Sequence, residues 1–119
     1  MKSNFFFSII FFFSFALATS AQTAPAATTG MTTKFKVYGN CGMCEKRIEK
    51  AASIEGVTSA EWDVETLFLT VQFDPTKVKP GKIHKAVAAV GHDTDKVRAE
   101  DAVYEDLHGC CKYERPVKE

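Results

Sequence analysis

Between residues 33 and 99 the hydrophobic period switches from two to about 3.6 and back, twice, and few folds accept that order. "KFKVYG" puts Phe35 and Val37 on one face and Lys34, Lys36 and Tyr38 on the other, as a half-buried strand does. After Gly39 and Asn40, Cys44, Ile48 and Ala51 fall at helical spacing, while Lys46, Arg47, Glu49 and Lys50 face outward until "EGV" stops the run. "VTSAEWDV" and "LFLTVQF", separated by Glu65 and Thr66, predict a β-hairpin with Leu67, Leu69, Val71 and Phe73 inward. Pro80 and Gly81 precede a second helix carrying Ile83, Ala86, Val87 and Val90 on one face, ended by Gly91. "DKVRA" then supplies a fourth strand. The order βαββαβ is the split, ferredoxin-like α+β plan, an antiparallel four-stranded sheet with both helices on one face and right-handed crossovers. In that plan the loop after the first strand and the loop after the second helix lie at the same end of the sheet. Cys41 and Cys44 therefore fall close to Gly91, His92 and Asp93.

The amino terminus addresses the compartment. Lys2 is followed by "FFFSIIFFFSFALA", whose apolar core from Phe5 to Leu17 is shorter than the ~20 residues that span a bilayer. Small residues at Ala18 and Ala21 complete a secretory signal peptide over residues 1–21. No cysteine in that region offers a site for lipid attachment. "QTAPAATTGMT", residues 22–32, has no periodicity and is expected to be a flexible linker. The folded domain is expected over residues 33–99, with a tail over 100–119. A domain of this size buries only roughly 60–65% of its unfolded surface and gains from a metal or a disulfide. The expected product is an exported, periplasmic monomer that is not membrane-embedded once the leader is removed. Its 15 basic and 15 acidic residues leave no nucleic-acid footprint. Lys34, Lys36, Lys46, Arg47 and Lys50 cluster near the cysteine motif as a solvated face or a rim for an acidic partner.

The chemistry lies in four cysteines at 41, 44, 110 and 111. Disulfide frameworks spread cysteines to close loops, whereas these form two tight clusters. In "YGNCGMCEKRIEKA" the first pair stands at the start of a helix, where a thiolate is favoured, with Cys44 in the first turn expected to gain most. Such a pair serves as a redox couple, a metal clamp or simple buried packing. As a clamp its soft sulfurs select Cu(I), with Zn(II) and other thiophilic ions as competitors, and two thiolates fall short of the four ligands zinc usually takes. Neutral Asn40 adds no carboxylate for a harder ion. Against an oxidoreductase, no aromatic residue precedes the pair, and the βαββαβ order is not that of thioredoxin.

The segments "VYGNCGMCEKRIEKAASIEGVTSAEWDVETLFLTVQFDP" and "IHKAVAAVGHDT" resemble the heavy-metal-associated domain of copper chaperones, metal-transporting ATPase tails and periplasmic mercury-binding proteins. The resemblance covers residues 33 to 99. It implies a non-enzymatic carrier that binds metal at Cys41 and Cys44 and hands it to a metal-transporting membrane protein or another acceptor. Cu(I) is the implied cargo, with Hg(II) and Zn(II) as alternatives. A thiol–disulfide oxidoreductase and a sequestering or sensing module of a resistance system are the competing functions. The family's usual methionine two residues before the first cysteine is Gly39 here. Met43, between the thiols, is expected to take over its packing, the alternative being a thioether ligand. The resemblance also makes His92 a candidate third, imidazole ligand, while His84, beside Lys82 and Lys85, is expected in water. In the tail, Asp101 is expected to cap a short helix carrying Val103, Tyr104 and Leu107, ended by Gly109. Ten residues span ~15 Å as helix or ~33 Å extended, enough to return Cys110 and Cys111 to the first pair. The tail cysteines are then ligands in a shared four-thiol site, disulfide partners of the first pair, or independent thiols.

Overall fold

The structure, a computed structural model, describes residues 30–118; the expected signal peptide and the linker up to residue 29 lie outside the described residues. The first strand starts at Met31, two residues before the expected boundary of the domain, because β1 (Met31–Lys36) pairs along its whole length with β3 (Phe68–Phe73). α1 (Gly42–Ala52) follows, then β2 (Val57–Trp62), antiparallel to β3. The sheet order is β1-β3-β2, with Leu69 opposite both Phe35 and Trp62. α1 packs against β2 and against α2 (Pro80–Ala88). The buried stripe Cys44, Ile48 and Ala52 of α1 meets Phe35, Val37, Leu69, Val71, Ile83 and Val87 in one core.

Three strands stand in the sheet among the described residues, and the expected fourth is reduced to a single antiparallel bridge between Val37 and Thr94. The Tyr38 amide donates to Asp93 O at 2.9 Å and the Asp95 amide to Lys36 O at 3.1 Å, and there the ladder stops. Side chains take the amides that would have continued it. Thr94 Oγ1 accepts from the amides of Lys96 (3.2 Å) and Val97 (2.9 Å), and Asp93 Oδ1 accepts from the Ala99 amide at 2.6 Å. Local side-chain acceptors compete with sheet pairing in just this way. The hairpin loop is likewise longer than two residues. Asp63 Oδ1 gathers the amides of Glu65 and Thr66, and Leu67 turns the chain at φ 63°.

His84 is not in water. It is 2% exposed, stacked on Phe35 at 3.7 Å between ring centroids, with Nδ1 2.7 Å from Thr94 Oγ1. Burial lowers its pKa against the opposing pull of Asp95, which keeps the ring neutral. In the tail, α3 (Asp101–Glu105) is preceded by Glu100 as its N-cap, with no side-chain cap bond. Asp101 lies inside the first turn, and its carboxylate is engaged by Arg115 Nη1 at 2.6 Å rather than by the helix amides.

Under the cysteine loop the packing role passes to Trp62. Its indole Nε1 donates to Val37 O at 3.0 Å, and its ring lies so close to Gly39 that a Cβ there would meet ring carbon Cη2 at 3.0 Å and the Cys44 Cβ at 3.1 Å. The methionine that the resemblance leads one to expect at Gly39 would find no room, because the tryptophan already fills the space. Met43, expected to pack there, is 50% exposed. Gly39→Ala should therefore lower stability by about 1–3 kcal/mol through overpacking. An unchanged urea midpoint would show that the indole moves aside at no cost.

Candidate metal centre

Cys41 ends the loop after β1 and is the N-cap of α1, with φ −152° and ψ 176°. Its sulfur stands 3.7 Å from that of Cys44, which is fully buried and accepts the Asn40 amide at 3.5 Å. The thiol pulled toward ionisation is Cys41, from 9.0 to about 7. The Cys44 amide contributes most; burial opposes it, and the Met43 amide and the thiols of Cys44 and Cys111 add to it. The N-cap side chain of Cys41 faces the first free amides of the helix, which favours its thiolate. Neither amide reaches full hydrogen-bond geometry with the sulfur.

The tail reaches this site. After α3, a short 3₁₀ turn at Gly109–Cys111, closed by the Cys111 amide on His108 O at 2.8 Å, places Cys111 fully buried against the first pair. The sulfurs of Cys41, Cys44 and Cys111 all lie within 4.8 Å of one another. Donors about 2.3 Å from one ion in a trigonal plane stand about 4.0 Å apart, so three thiolates can close on a single soft ion here with little movement. The Cys111 thiol is pushed up to about 12, first by burial and then by Cys44 and Cys110. It is held protonated until a cation arrives to displace the proton.

Cys110 does not join the group. It is exposed, its Sγ 3.9 Å from both Met43 Sδ and Cys111 Sγ, and its carbonyl receives the Cys41 thiol at 3.6 Å. Successive residues in a tight turn point their side chains apart, so the tail inserts one cysteine and leaves the other at the rim. His92 also stays outside the three-thiol group. Its ring is fully buried, Nδ1–H donates to Tyr38 O at 2.8 Å, and Tyr113 stacks on it at 5.6 Å. Burial lowers its pKa, the Tyr38 carbonyl opposes, and Arg47 lowers it further. Nε2 has no partner.

Residues that carried no sequence signal hold the tail in place. Tyr113 Oη donates to Gly91 O and receives the Asp93 amide, both at 2.8 Å. Arg115 grips the buried Asp93 carboxylate with Nε on Oδ2 at 2.8 Å and Nη2 on Oδ1 at 2.9 Å, and lies 4.6 Å over the Tyr104 ring. Burial pushes the Asp93 carboxyl up, but the hydrogen bonds from Arg115, the Ala99 amide and Tyr113 hold it below its usual value. Gly91, at φ 101°, lets Leu107 approach within 3.0 Å of where a Cβ would be. Nothing periodic marks "CKYERP", since the contacts of Tyr113 and Arg115 with Gly91 and Asp93 cross 20 to 22 residues of sequence.

The site and fold have known counterparts. Residues 36–93 match the heavy-metal-associated domain profile. The copper chaperone CopZ of Staphylococcus aureus strain bovine RF122 / ET3-1 is 38% identical over 55 residues, covering 45% of this chain and 81% of that protein. The chain belongs to the heavy-metal-associated domain family. The crystal structure of oxidized MerP from Ralstonia metallidurans CH34 superposes with a TM-score of 0.52 at 31% identity, covering 56% of this chain and 94% of that one. The Cu(I)-loaded N-terminal domain of a potential copper-translocating P-type ATPase from Bacillus subtilis gives 0.52 at 28% identity, covering 55% and 84%. The family match ends at residue 93, so the segment delivering Cys111 lies beyond it.

The clamp generates a pH prediction. Asp93 titrates below its unfolded value of 3.8, so its contribution to stability is complete above that pH and is lost as the pH falls through the folded value. Arg115→Met, which strands a buried carboxylate, should cost about 3 kcal/mol at pH 7. The gap from the parent protein should narrow as the pH falls, because without Arg115 the buried Asp93 carboxyl takes up a proton in the variant before it does in the parent. Urea titrations of both proteins at pH 7 and pH 3 measure it; a gap independent of pH would mean that Arg115 acts only through packing.

Proposed function

We propose that this protein is an exported carrier of Cu(I) that holds the ion at Cys41, Cys44 and Cys111 and releases it by ligand exchange to a metal-transporting membrane protein. The observation that carries this reading is the meeting of three sulfurs, one of them from outside the family domain. Three soft donors suit Cu(I) better than zinc, which usually completes four. The chaperone and ATPase-domain relatives support a copper cargo and a transporter as acceptor. The apolar leader at residues 1–21 supports export to the periplasm.

A sequestering role, with Hg(II) as the other ion that three thiolates hold well, is favoured by one specific observation. The third ligand is fully buried, which retains an ion longer than an open pair would. Partner-dependent transfer separates the two, because a carrier accelerates loading of its acceptor and a store does not. Thiol–disulfide catalysis has no comparable support, the relatives being metal carriers.

Leu107, Cys111 and Tyr113 belong to the same core as the sheet, so cutting the tail away would disturb the fold along with the site. Point variants are the cleaner test. In Cu(I) titrations of the reduced protein against a competing chelator, Cys41→Ser/Cys44→Ser should abolish tight binding. Cys111→Ser should weaken it by at least about tenfold, or about 1.4 kcal/mol. Affinity unchanged in the double variant would refute the site.

A further inference from the structure

Two sulfurs remain outside the inner group. Met43 stands on the first turn of α1, between the inner thiols in sequence, and half of its surface faces solvent although Trp62 already fills the space beneath the loop. Its Sδ meets the exposed Sγ of Cys110 at 3.9 Å, from a residue 67 positions away in the chain. Cys110 Sγ is in turn 3.9 Å from Cys111 Sγ, yet it does not fall within 4.8 Å of all the inner sulfurs. It is therefore a neighbour of the inner site rather than its fourth corner. Cys110 Sγ thus stands between Met43 Sδ and Cys111 Sγ, at the rim of the group formed by Cys41, Cys44 and Cys111.

We propose that Cys110 and Met43 form an outer binding site for a second monovalent thiophilic ion, through which the cargo enters and leaves the inner three-thiol group. The inference rests on the carrier reading of that group. The 3.9 Å between the two sulfurs matches two donors each about 2.3 Å from one three-coordinate ion, whose third position faces solvent and is open to an incoming ligand. The thioether is neutral and soft, which excludes magnesium, calcium and other hard ions. One thiolate balances one positive charge, so the pair suits Cu(I) or Ag(I) and leaves a divalent ion short of both charge and ligands. An inner Cu(I) held by three thiolates keeps a residual negative charge, so a second cation beside it is attracted. Binding releases the Cys110 proton to solvent; the ion then moves inward as Cys111 and the first pair replace Met43 and Cys110 one sulfur at a time, each incoming thiol giving up its proton as it binds and the vacated Cys110 thiolate taking one back. No sulfur or copper changes oxidation state in the exchange.

The test is native mass spectrometry and chelator competition with Cu(I) on the reduced protein purified from cells, read together with the rate of Cu(I) release to the chelator. The parent should hold two ions per monomer, the second more weakly. Cys110→Ser and Met43→Leu, both at exposed positions, should each hold one, keep the first ion's affinity within about threefold, roughly 0.7 kcal/mol, and release it several-fold more slowly. A parent that holds one ion overturns the outer site alone. So does a second ion that survives both variants, one that forms only in a dimer, or a release rate unchanged by them. Tight binding that persists in Cys41→Ser/Cys44→Ser instead overturns the carrier reading, and the outer site with it.

Discussion

One buried carboxylate ties the two parts of this molecule together. Asp93 receives the Tyr38 amide on its backbone oxygen, binding the loop after α2 to the end of β1. Its own amide goes to Tyr113, and its side chain takes Arg115 and the Ala99 amide. A carboxylate with no exposed side-chain surface would be costly alone, and each of those donors offsets part of its desolvation. The chain after residue 93 therefore has little choice of path. Its turn, the short helix and the return of the tail are built around satisfying this group, and Cys111 reaches the first thiols as a consequence.

What was legible in the sequence is what is periodic. Phe35 and Val37, the Leu69–Val71–Phe73 alternation, and the Cys44–Ile48 and Ile83–Val87 spacings each report a buried face, and each lies in the core. The paired cysteines at a strand-to-helix junction were equally readable, because their spacing is local. The failures have one common form, in which a polar side chain takes a hydrogen bond that hydrophobic periodicity does not report. Thr94 and Asp93 divert amides from the fourth strand, Asp63 enlarges the hairpin turn, Asp101 turns from capping to Arg115, and His84 gains both Phe35 and Thr94. At the site, His92 Nδ1 donates to the Tyr38 carbonyl 54 residues away, which fixes the ring's orientation and leaves Nε2 without a partner.

Gly39 and Trp62 show a different kind of substitution, in which a packing task moves between positions far apart in sequence. The residue beneath a metal loop needs bulk, and here β2 supplies it from below while the loop keeps only a hydrogen atom. The loop's backbone is thus braced by an indole that is also hydrogen-bonded to β1 at Val37. Met43 is released from packing by the same exchange, which is why its thioether is free at the surface.

Because Cys111 is both a member of the core and a prospective ligand, occupancy of the site and integrity of the fold are one equilibrium. Anything that binds the folded state alone stabilises it by mass action, by about 2.7 kcal/mol at a hundredfold excess over the dissociation constant. On the carrier reading, a chain that has delivered its cargo is the less stable form and opens its tail more often to proteases and oxidants. Its lifetime in the cell would then track the supply of the ion it carries, without any separate regulator to measure that supply.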